Sequence, residues 1–290
     1  MKKDVALVLS SGGARGFAHI GVIKVLERNG YNIRSVAGTS MGALVGGIYA
    51  TGHLEEFEEW VTTLDVREVL RLTDLTISKQ GLIKGKKIIQ KIEEIVPDRN
   101  IEDLPIPFCA VATDILKGCE KVFTSGKLFD AIRASISIPT VFQPFKLDGS
   151  YYVDGGVVNP VPINRVTRHE NDLLVTVIVN GNIPVPRKKV VYNKNENDSN
   201  LKQIKLLQAK LSNHIPKSKK DDIGIFNLTN RSISIMLNQI TNLTLEKQKV
   251  DINITLSKDA FGTYDFYKAK EIIEEGEMAA MQALSMQVLM

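Results

Sequence analysis

Short apolar runs alternate with helix-like patterns along this chain. Residues 4–9 form a buried-strand run, and residues 17–30 place apolar side chains at helical spacing before a glycine that can end the helix. The same reasoning predicts further strands over 33–38, 106–115, 172–181 and 250–256, further helices over 41–51, 54–64, 85–97, 127–139, 232–249 and 267–289, and a turn-rich hairpin region over 141–163. This alternation predicts an α/β fold, a three-layer α/β/α sandwich with a largely parallel central sheet.

The length and composition favour one globular unit. The 290 residues are 43% hydrophobic and show neither an internal repeat nor a clear linker, so we expect a single domain over 1–290. Its parts are a motif-bearing core over 4–164, a basic insertion over about 182–222, and a C-terminal helix-strand-helix unit over 229–290. The first apolar run is too short for a signal peptide, and no apolar run could span a bilayer. The two cysteines form no disulfide framework, which favours a cytoplasmic protein.

The positive charge of the chain is concentrated in one segment. Residues 182–222 contain ten Lys/Arg and four Asp/Glu, a local excess of +6, whereas the whole chain carries +4. The segment is either an ordinary solvated, mobile surface segment or an electrostatic contact with anionic lipid, which would place the protein peripherally at the inner membrane surface. Nucleic acid is not expected as a partner, because the segment has too few aromatic residues to alternate with the lysines as stacking platforms.

The pattern Gly38-Thr39-Ser40-Met41-Gly42 lies between a predicted strand and a predicted helix. In that context G-x-S-x-G indicates a nucleophile elbow, in which flanking glycines allow a strained turn that exposes the serine hydroxyl. The following helix begins with small residues, so it can pack closely on the sheet. Ser40 is therefore the candidate nucleophile.

A nucleophilic serine needs a base, and two kinds are available. A Ser-Asp-His order could use His169 or His214, although neither stands in a recognisable catalytic turn. Asp154 is the better candidate, because it ends an aromatic, β-branched strand and is followed by two glycines. The nearby Asp148-Gly149 pair needs only hairpin geometry and provides an internal control.

The glycine-rich loop 10–16 follows the first strand and opens a helix. Successive N–H groups in such a loop bind negative charge, which suits either a nucleotide phosphate or the oxyanion of an acyl intermediate. The loop lacks the lysine-serine ending of a P-loop, and no acidic residue clearly ends a second strand as a dinucleotide-binding fold requires. The pattern therefore favours an oxyanion hole over a nucleotide site.

Taken in order, three motifs resemble those of bacterial patatin-like phospholipases: Gly12-Gly13-Ala14-Arg15-Gly16, Gly38-Thr39-Ser40-Met41-Gly42 and Asp154-Gly155-Gly156. Residues 132–145 also resemble the segment of that family that precedes the aspartate hairpin. The resemblance covers about residues 4–164. It implies a patatin-like fold and a Ser40–Asp154 dyad that hydrolyses lipid or lysolipid esters without histidine, metal or cofactor.

The resemblance also assigns roles to the glycine-rich loop. It implies that amides around Gly12, Gly13 and Ala14 form the oxyanion hole, and that Arg15 takes the basic position of the family, either bracing the loop or contacting a substrate phosphate. Ser11 departs from the family pattern, which has a further glycine there. Two alternatives to hydrolysis stay open: a lipid transacylase using the same dyad, and a lipid-binding regulatory module with low turnover.

Overall fold

The computed structural model describes residues 3–74, 83–185 and 225–287, and these contain one mixed sheet. Its strands are β1 (Lys3–Leu9), β2 (Tyr31–Thr39), β3 (Phe108–Asp114), β4 (Cys119–Phe123), β5 (Phe145–Leu147), β6 (Ser150–Asp154), β7 (Leu173–Gly181) and β8 (Ile252–Ser257). Parallel pairing joins β3, β2, β1, β7 and β8 in that order, whereas β4 and β6 pair antiparallel with β3. The largely parallel sheet confirms the predicted fold class.

Helices connect and cover these strands. They are α1 (Ala18–Arg28), α2 (Met41–Thr51), α3 (Leu54–Thr62), α4 (Val66–Leu72), α5 (Lys86–Glu93), α6 (Leu128–Ser135), α7 (Ile225–Lys247) and α8 (Ala269–Gln287). Short 3₁₀ helices include Gly13–Phe17 and Gly155–Val157. Within the described ranges, no helix is both long and apolar enough to cross a bilayer. Of the basic segment 182–222, the residues from 186 onward lie outside the described residues.

The sheet is packed on both faces, as its sequence pattern requires. In β1, Leu7 and Leu9 belong to the larger apolar cluster, which includes buried residues of α1, α2, α6 and α8. Ala6 and Val8, on the opposite face of the strand, join a smaller cluster against which Leu245 of α7 packs. A strand buried on both faces must be apolar throughout, and this explains the continuous apolar run near the start of the chain.

A tight hairpin joins β5 to β6. Its turn residues Asp148 and Gly149 have φ values of 48° and 78°, and two positive φ values in a two-residue loop favour Asp-Gly. The predicted hairpin role of this pair is confirmed. The turn sends β6 back along β3, so that Asp154 lies at the end of the returning strand.

Candidate active site

Ser40 lies on a sharp turn between β2 and α2. Its backbone has φ 57° and ψ −124°, a strained combination for a residue with a side chain. A Cβ atom on Gly38 would stand 2.4 Å from the carbonyl oxygen of Gly42, and one on Gly42 would stand 2.2 Å from that of Leu9. The turn therefore needs glycine on both sides of the serine, as the G-x-S-x-G pattern predicts.

Two strands that run in opposite directions bring Ser40 and Asp154 together. β2 pairs with β3 as far as Thr39, opposite Val111, and β6 pairs with β3 as far as Asp154, opposite Ala112. Because β4 occupies the other side of β3 at both positions, β2 and β6 must share the remaining side. Their ends therefore meet, and Ser40 Oγ donates a hydrogen bond to Asp154 Oδ2. Ser40 is 2% exposed and Asp154 is 6% exposed.

The Asp154 carboxyl group is held firmly and kept away from water. Its Oδ1 accepts the Gly156 N–H at 2.7 Å, its backbone N–H donates to Ser137 O at 2.9 Å, and its carbonyl accepts from Thr113 Oγ1 at 2.9 Å. Burial raises the pKa of Asp154 to about 6, although the hydrogen bonds from Ser40 and Gly156 act in the opposite direction. Such a carboxylate is a stronger base than an ordinary aspartate and is still mainly ionised at neutral pH.

Other motif glycines allow elements to approach one another around the dyad. A Cβ atom on Gly155 would lie 2.1 Å from Val111 O, so β6 can turn tightly against β3 only with glycine there. A Cβ atom on Gly16 would lie 2.3 Å from the Cβ of Met41, the first residue of α2. The glycine-rich loop can therefore sit directly beside the start of the helix that follows Ser40.

None of the histidines in the described ranges hydrogen-bonds to the Ser40–Asp154 pair. The His169 N–H donates to Asp172 at 2.7 Å in a turn, and His214 lies outside the described residues. His19 is fully buried beneath the glycine-rich loop, where its Nε2 donates to the carbonyl of Ser10 at 2.9 Å. Burial lowers the pKa of His19 to about 4, so its ring is neutral at ordinary pH and braces the start of the loop.

The glycine-rich loop runs from the end of β1 into the 3₁₀ helix Gly13–Phe17. Among the described residues, the N–H groups of Gly12 and Gly13 meet no hydrogen-bond acceptor. The Ala14 amide differs from the other two, because it donates to Thr263 O at 2.9 Å and is already occupied. Gly13 has φ 57°, which turns the chain at the point where the free amides occur.

Arg15 holds this loop in place through hydrogen bonds from its guanidinium group. Its Nη1 donates to Lys258 O at 2.6 Å, its Nη2 donates to Thr263 Oγ1 at 2.8 Å, and its Nε donates to Gly12 O at 3.3 Å. The guanidinium thus ties the loop to the turn after β8. Of the two roles that the sequence left open for Arg15, these contacts favour the bracing role.

Ser11 faces the dyad from the same loop. Its backbone N–H donates to Pro160 O at 2.9 Å, and its carbonyl accepts from Asn180 Nδ2 at 2.8 Å, so the residue is held in place. Its Oγ lies 3.2 Å from the point that a Cβ on Gly156 would occupy, and Asp154 Oδ1 lies 2.9 Å from that point. The Ser11 hydroxyl and the Asp154 carboxyl group therefore both border the space beside Gly156, and Ser11 stands where the family resemblance implies a further glycine.

The polar residues at the end of α6 were not singled out from the sequence. The Ser40 N–H donates to Ser135 Oγ at 2.8 Å, and the Ser135 hydroxyl donates in turn to Val111 O at 2.6 Å. Arg133 Nη1 donates at 2.5 Å to the hydroxyl of Ser137, whose carbonyl holds Asp154. The sequence signal that could have identified these residues is the alternation of serine with isoleucine before Pro139, within the segment 132–145.

Comparison with known proteins agrees with this fold. Residues 7–166, more than half of the chain, match the sequence model of the family described as patatin-like phospholipase. The chain belongs to this family.

Individual relatives extend the comparison. An "Uncharacterized NTE family protein" of Mycobacterium tuberculosis is 34% identical over 97% of this chain and 91% of its own length. "Neuropathy target esterase sws" of Drosophila persimilis is 36% identical over 55% of this chain, which corresponds to 12% of that protein. The crystal structure of VipD from Legionella pneumophila covers 98% of this chain and 67% of its own, with a TM-score of 0.50 and 15% identity, and this likeness concerns the fold alone.

Proposed function

We propose that this protein is a serine lipid acyl hydrolase, an esterase of the phospholipase A or lysophospholipase type. The observation that carries the proposal is the buried hydrogen bond from Ser40 Oγ to Asp154 Oδ2, beside a loop with free amides. Membership in the patatin-like phospholipase family supports a lipid ester as the substrate class.

In the acylation step, Ser40 Oγ attacks the carbonyl carbon of the ester while Asp154 Oδ2 accepts the hydroxyl proton. The tetrahedral intermediate places negative charge on the former carbonyl oxygen, and the Gly12 and Gly13 N–H groups stabilise that charge. We leave Ala14 out of the donor set because its amide is bound to Thr263. The intermediate collapses to an acyl-Ser40 ester, and the leaving alcohol takes the proton from Asp154.

In the deacylation step, the same residues act on water. Asp154 accepts a proton from the water molecule that attacks the acyl carbon, and the loop amides again stabilise the oxyanion. The fatty acid leaves, and the proton returns to Ser40 Oγ. The raised pKa of Asp154, about 6, suits both roles, because the group must accept a proton and release it in each half-reaction.

The cellular setting is also part of the proposal. The basic excess in 182–222 supports peripheral contact with an anionic membrane surface, and a cytoplasmic location stays a prediction from the cysteine pattern.

The test combines activity with covalent labelling. Wild type and Ser40→Ala are assayed on a panel of phospholipids and lysophospholipids with release of free acid measured, and both are treated with a fluorophosphonate probe, which reacts only with an activated hydroxyl. We expect acid release and labelling in wild type and neither in Ser40→Ala. Wild-type cleavage rates in Ser40→Ala would refute the mechanism.

Two other results would identify the alternatives. Labelling of wild type with acyl transfer to an added lysolipid, in place of acid release, would identify a transacylase with the same dyad. Absence of labelling in a folded wild type would identify a binding module whose serine is not activated.

A further inference from the structure

α7 covers one edge of the candidate active site. Leu237 Cδ2 comes within 3.4 Å of the Cβ position of Gly156, the residue whose amide holds Asp154. Farther along the helix, Leu245 packs against the smaller apolar cluster, and Thr244 lines a cleft together with Asn159. The inner face of α7 therefore contacts the wall of the site.

The outer face of α7 exposes several large apolar side chains. Ile235 is 68% exposed and Met236 is 55% exposed, and Leu228 and Leu243 are exposed about two turns away on either side. At 3.6 residues per turn, these four side chains lie within an arc of roughly 100°. We call them the outer stripe. Exposed apolar residues grouped on one face of a helix indicate an interaction surface, whereas isolated ones do not.

Charged residues are scarce on this helix. Among the 23 residues of α7, only Arg231, Glu246 and Lys247 are charged, so no charge occurs from 232 to 245. A surface helix of a globular protein normally carries charged residues on the side that faces water. A helix that lies in a lipid interface instead presents an apolar face to the acyl chains.

Other exposed apolar side chains follow strands that end at the same edge of the sheet. Parallel strands end where Ser40 stands, and the segments that follow β3, β6 and β7 expose large apolar residues: Ile115, Leu116, Val157, Ile183 and Val185. In α8, which packs against α1 and β8, two exposed methionines provide a comparison away from that edge. We call the exposed residues that follow β3, β6 and β7, together with the outer stripe, the apolar rim.

The charges near this rim are complementary to an anionic surface. Lys117 is exposed next to Leu116 and forms an ion pair at 3.9 Å with the buried Asp114. At the end of α7, the exposed Lys247 and Lys249 outnumber the exposed Glu246. In the sequence, the segment 182–222 with its excess of +6 joins β7 to α7. A second copy of this chain would carry the same positive charge, whereas anionic lipid would attract it.

We propose that the outer stripe docks on the surface of an anionic lipid aggregate and so brings lipid esters to the side of the site that α7 covers. The evidence for this inference is the exposed apolar face of α7. Its functional meaning rests on the proposed lipid acyl hydrolase activity. The interface is formed by apolar insertion, and the flanking cations add electrostatic attraction to the headgroups.

The test uses neutral substitutions on the outer stripe. Ile235→Gln and Met236→Gln remove apolar surface, and glutamine is a good helix former, so α7 is kept. Met281→Gln is the matched control, because Met281 in α8 is 50% exposed on a helix away from the rim. Each protein is measured for sedimentation with vesicles of phosphatidylcholine and phosphatidylglycerol in equal parts, for hydrolysis of those vesicles, and for hydrolysis of a soluble p-nitrophenyl ester.

We expect each substitution on the stripe to lower vesicle binding and vesicle hydrolysis about tenfold, because each removes a side chain that would be buried in lipid. Hydrolysis of the soluble ester should be unchanged, and Met281→Gln should behave as wild type in all three assays. Unchanged vesicle binding in Ile235→Gln would overturn the docking proposal, as would a wild-type dimer that this substitution converts to a monomer. Vesicle binding without hydrolysis of either substrate by wild type would instead refute the proposed activity.

Discussion

Ser40 and Asp154 are 114 positions apart in the chain. Ser40 directly follows β2 and Asp154 is the last residue of β6, and these two strands stop opposite adjacent residues of β3. β2 approaches along one side of β3 and stops opposite Val111, and β6 approaches from the other direction and stops opposite Ala112. The gap between the two strand ends is where the hydroxyl meets the carboxyl group. Backbone pairing, rather than a flexible side-chain contact, therefore determines the geometry of the dyad.

The two Asp-Gly pairs near the dyad allow a matched comparison of Asp154 and Asp148. Asp154→Asn removes the base while keeping the size of the side chain, so we expect kcat to fall about 10²- to 10⁴-fold. Asp148→Asn should leave kcat within about twofold, because asparagine also suits the positive φ of 48° in the hairpin turn. Ester hydrolysis under saturating substrate measures both. Equal losses in the two variants would mean that Asp154 acts through folding alone.

The raised pKa of Asp154 predicts an acid limb in the pH profile. Only the carboxylate can accept the Ser40 proton, so kcat/KM should fall as pH drops through about 6 in the free enzyme. Above that value the profile should be flat until another group titrates. A soluble ester gives the profile without changes in vesicle charge. A limb near 3.8, the ordinary value for aspartate, would show that burial does not raise the pKa of the base.

The same pKa makes Asp154 a source of instability at neutral pH. Between pH 3.8, the unfolded value, and about 6, the folded protein binds more protons, so the free energy of unfolding decreases as pH rises through this window. The full shift corresponds to about 3 kcal/mol. Asp154→Asn should therefore be more stable than wild type at neutral pH, by about 1–3 kcal/mol. Urea unfolding at several pH values checks this, and the difference should shrink toward pH 3.8.

In the proposed mechanism, Ser135 positions the nucleophile through the backbone N–H of Ser40. Ser135→Ala leaves the buried N–H of Ser40 without its acceptor, which costs about 1–3 kcal/mol. We expect a lower kcat with little change in KM, because the defect lies in the turn that holds the hydroxyl. Ser137→Ala is the comparison, since Ser137 holds Asp154 through its backbone carbonyl, which the substitution keeps. Restored kcat in Ser135→Thr would separate a hydrogen-bonding role from a packing role.

The segment 182–222 should make vesicle binding depend on salt. Screening at higher ionic strength weakens contacts between lysines and anionic headgroups, so binding to phosphatidylglycerol vesicles should fall as salt rises. The apolar contribution of the outer stripe should persist at high salt. Sedimentation with the same vesicles across a salt series measures both parts. Binding that is the same at every salt concentration would exclude the basic segment as a lipid contact.

The sequence was sufficient for the fold class, and the two side chains that it proposes as a dyad are hydrogen-bonded to each other in the structure. Strand and helix periods predicted the parallel core, and the glycine pattern around Ser40 indicated a turn that proved to have the expected strain. Two short elements, α4 and β4, were not predicted. The seven residues of α4 are too few for a clear helical period, and β4 is a five-residue strand whose pattern is partly exposed.

Long-range polar contacts explain the rest of what the sequence did not reveal. The Ala14 N–H donates a hydrogen bond to the carbonyl of Thr263, 249 positions later in the chain. No local sequence pattern predicts that bond. Ser135 likewise meets Ser40 only because α6 packs against α2 and β3. Periodicity reports burial and direction within one element, whereas such hydrogen bonds depend on how distant elements come together.

The contacts that hold the glycine-rich loop determine whether the candidate active site could fold in a shorter fragment. The family match ends at residue 166, but the loop is held by Val177 and Val179 of β7 and by Lys258 and Thr263 beyond β8. A fragment that ends after residue 166 would retain all three signature motifs. It would lose the contacts that orient the backbone N–H groups of Gly12 and Gly13. The motifs alone are thus not an independent unit, because residues after 166 supply contacts that hold the glycine-rich loop rigid.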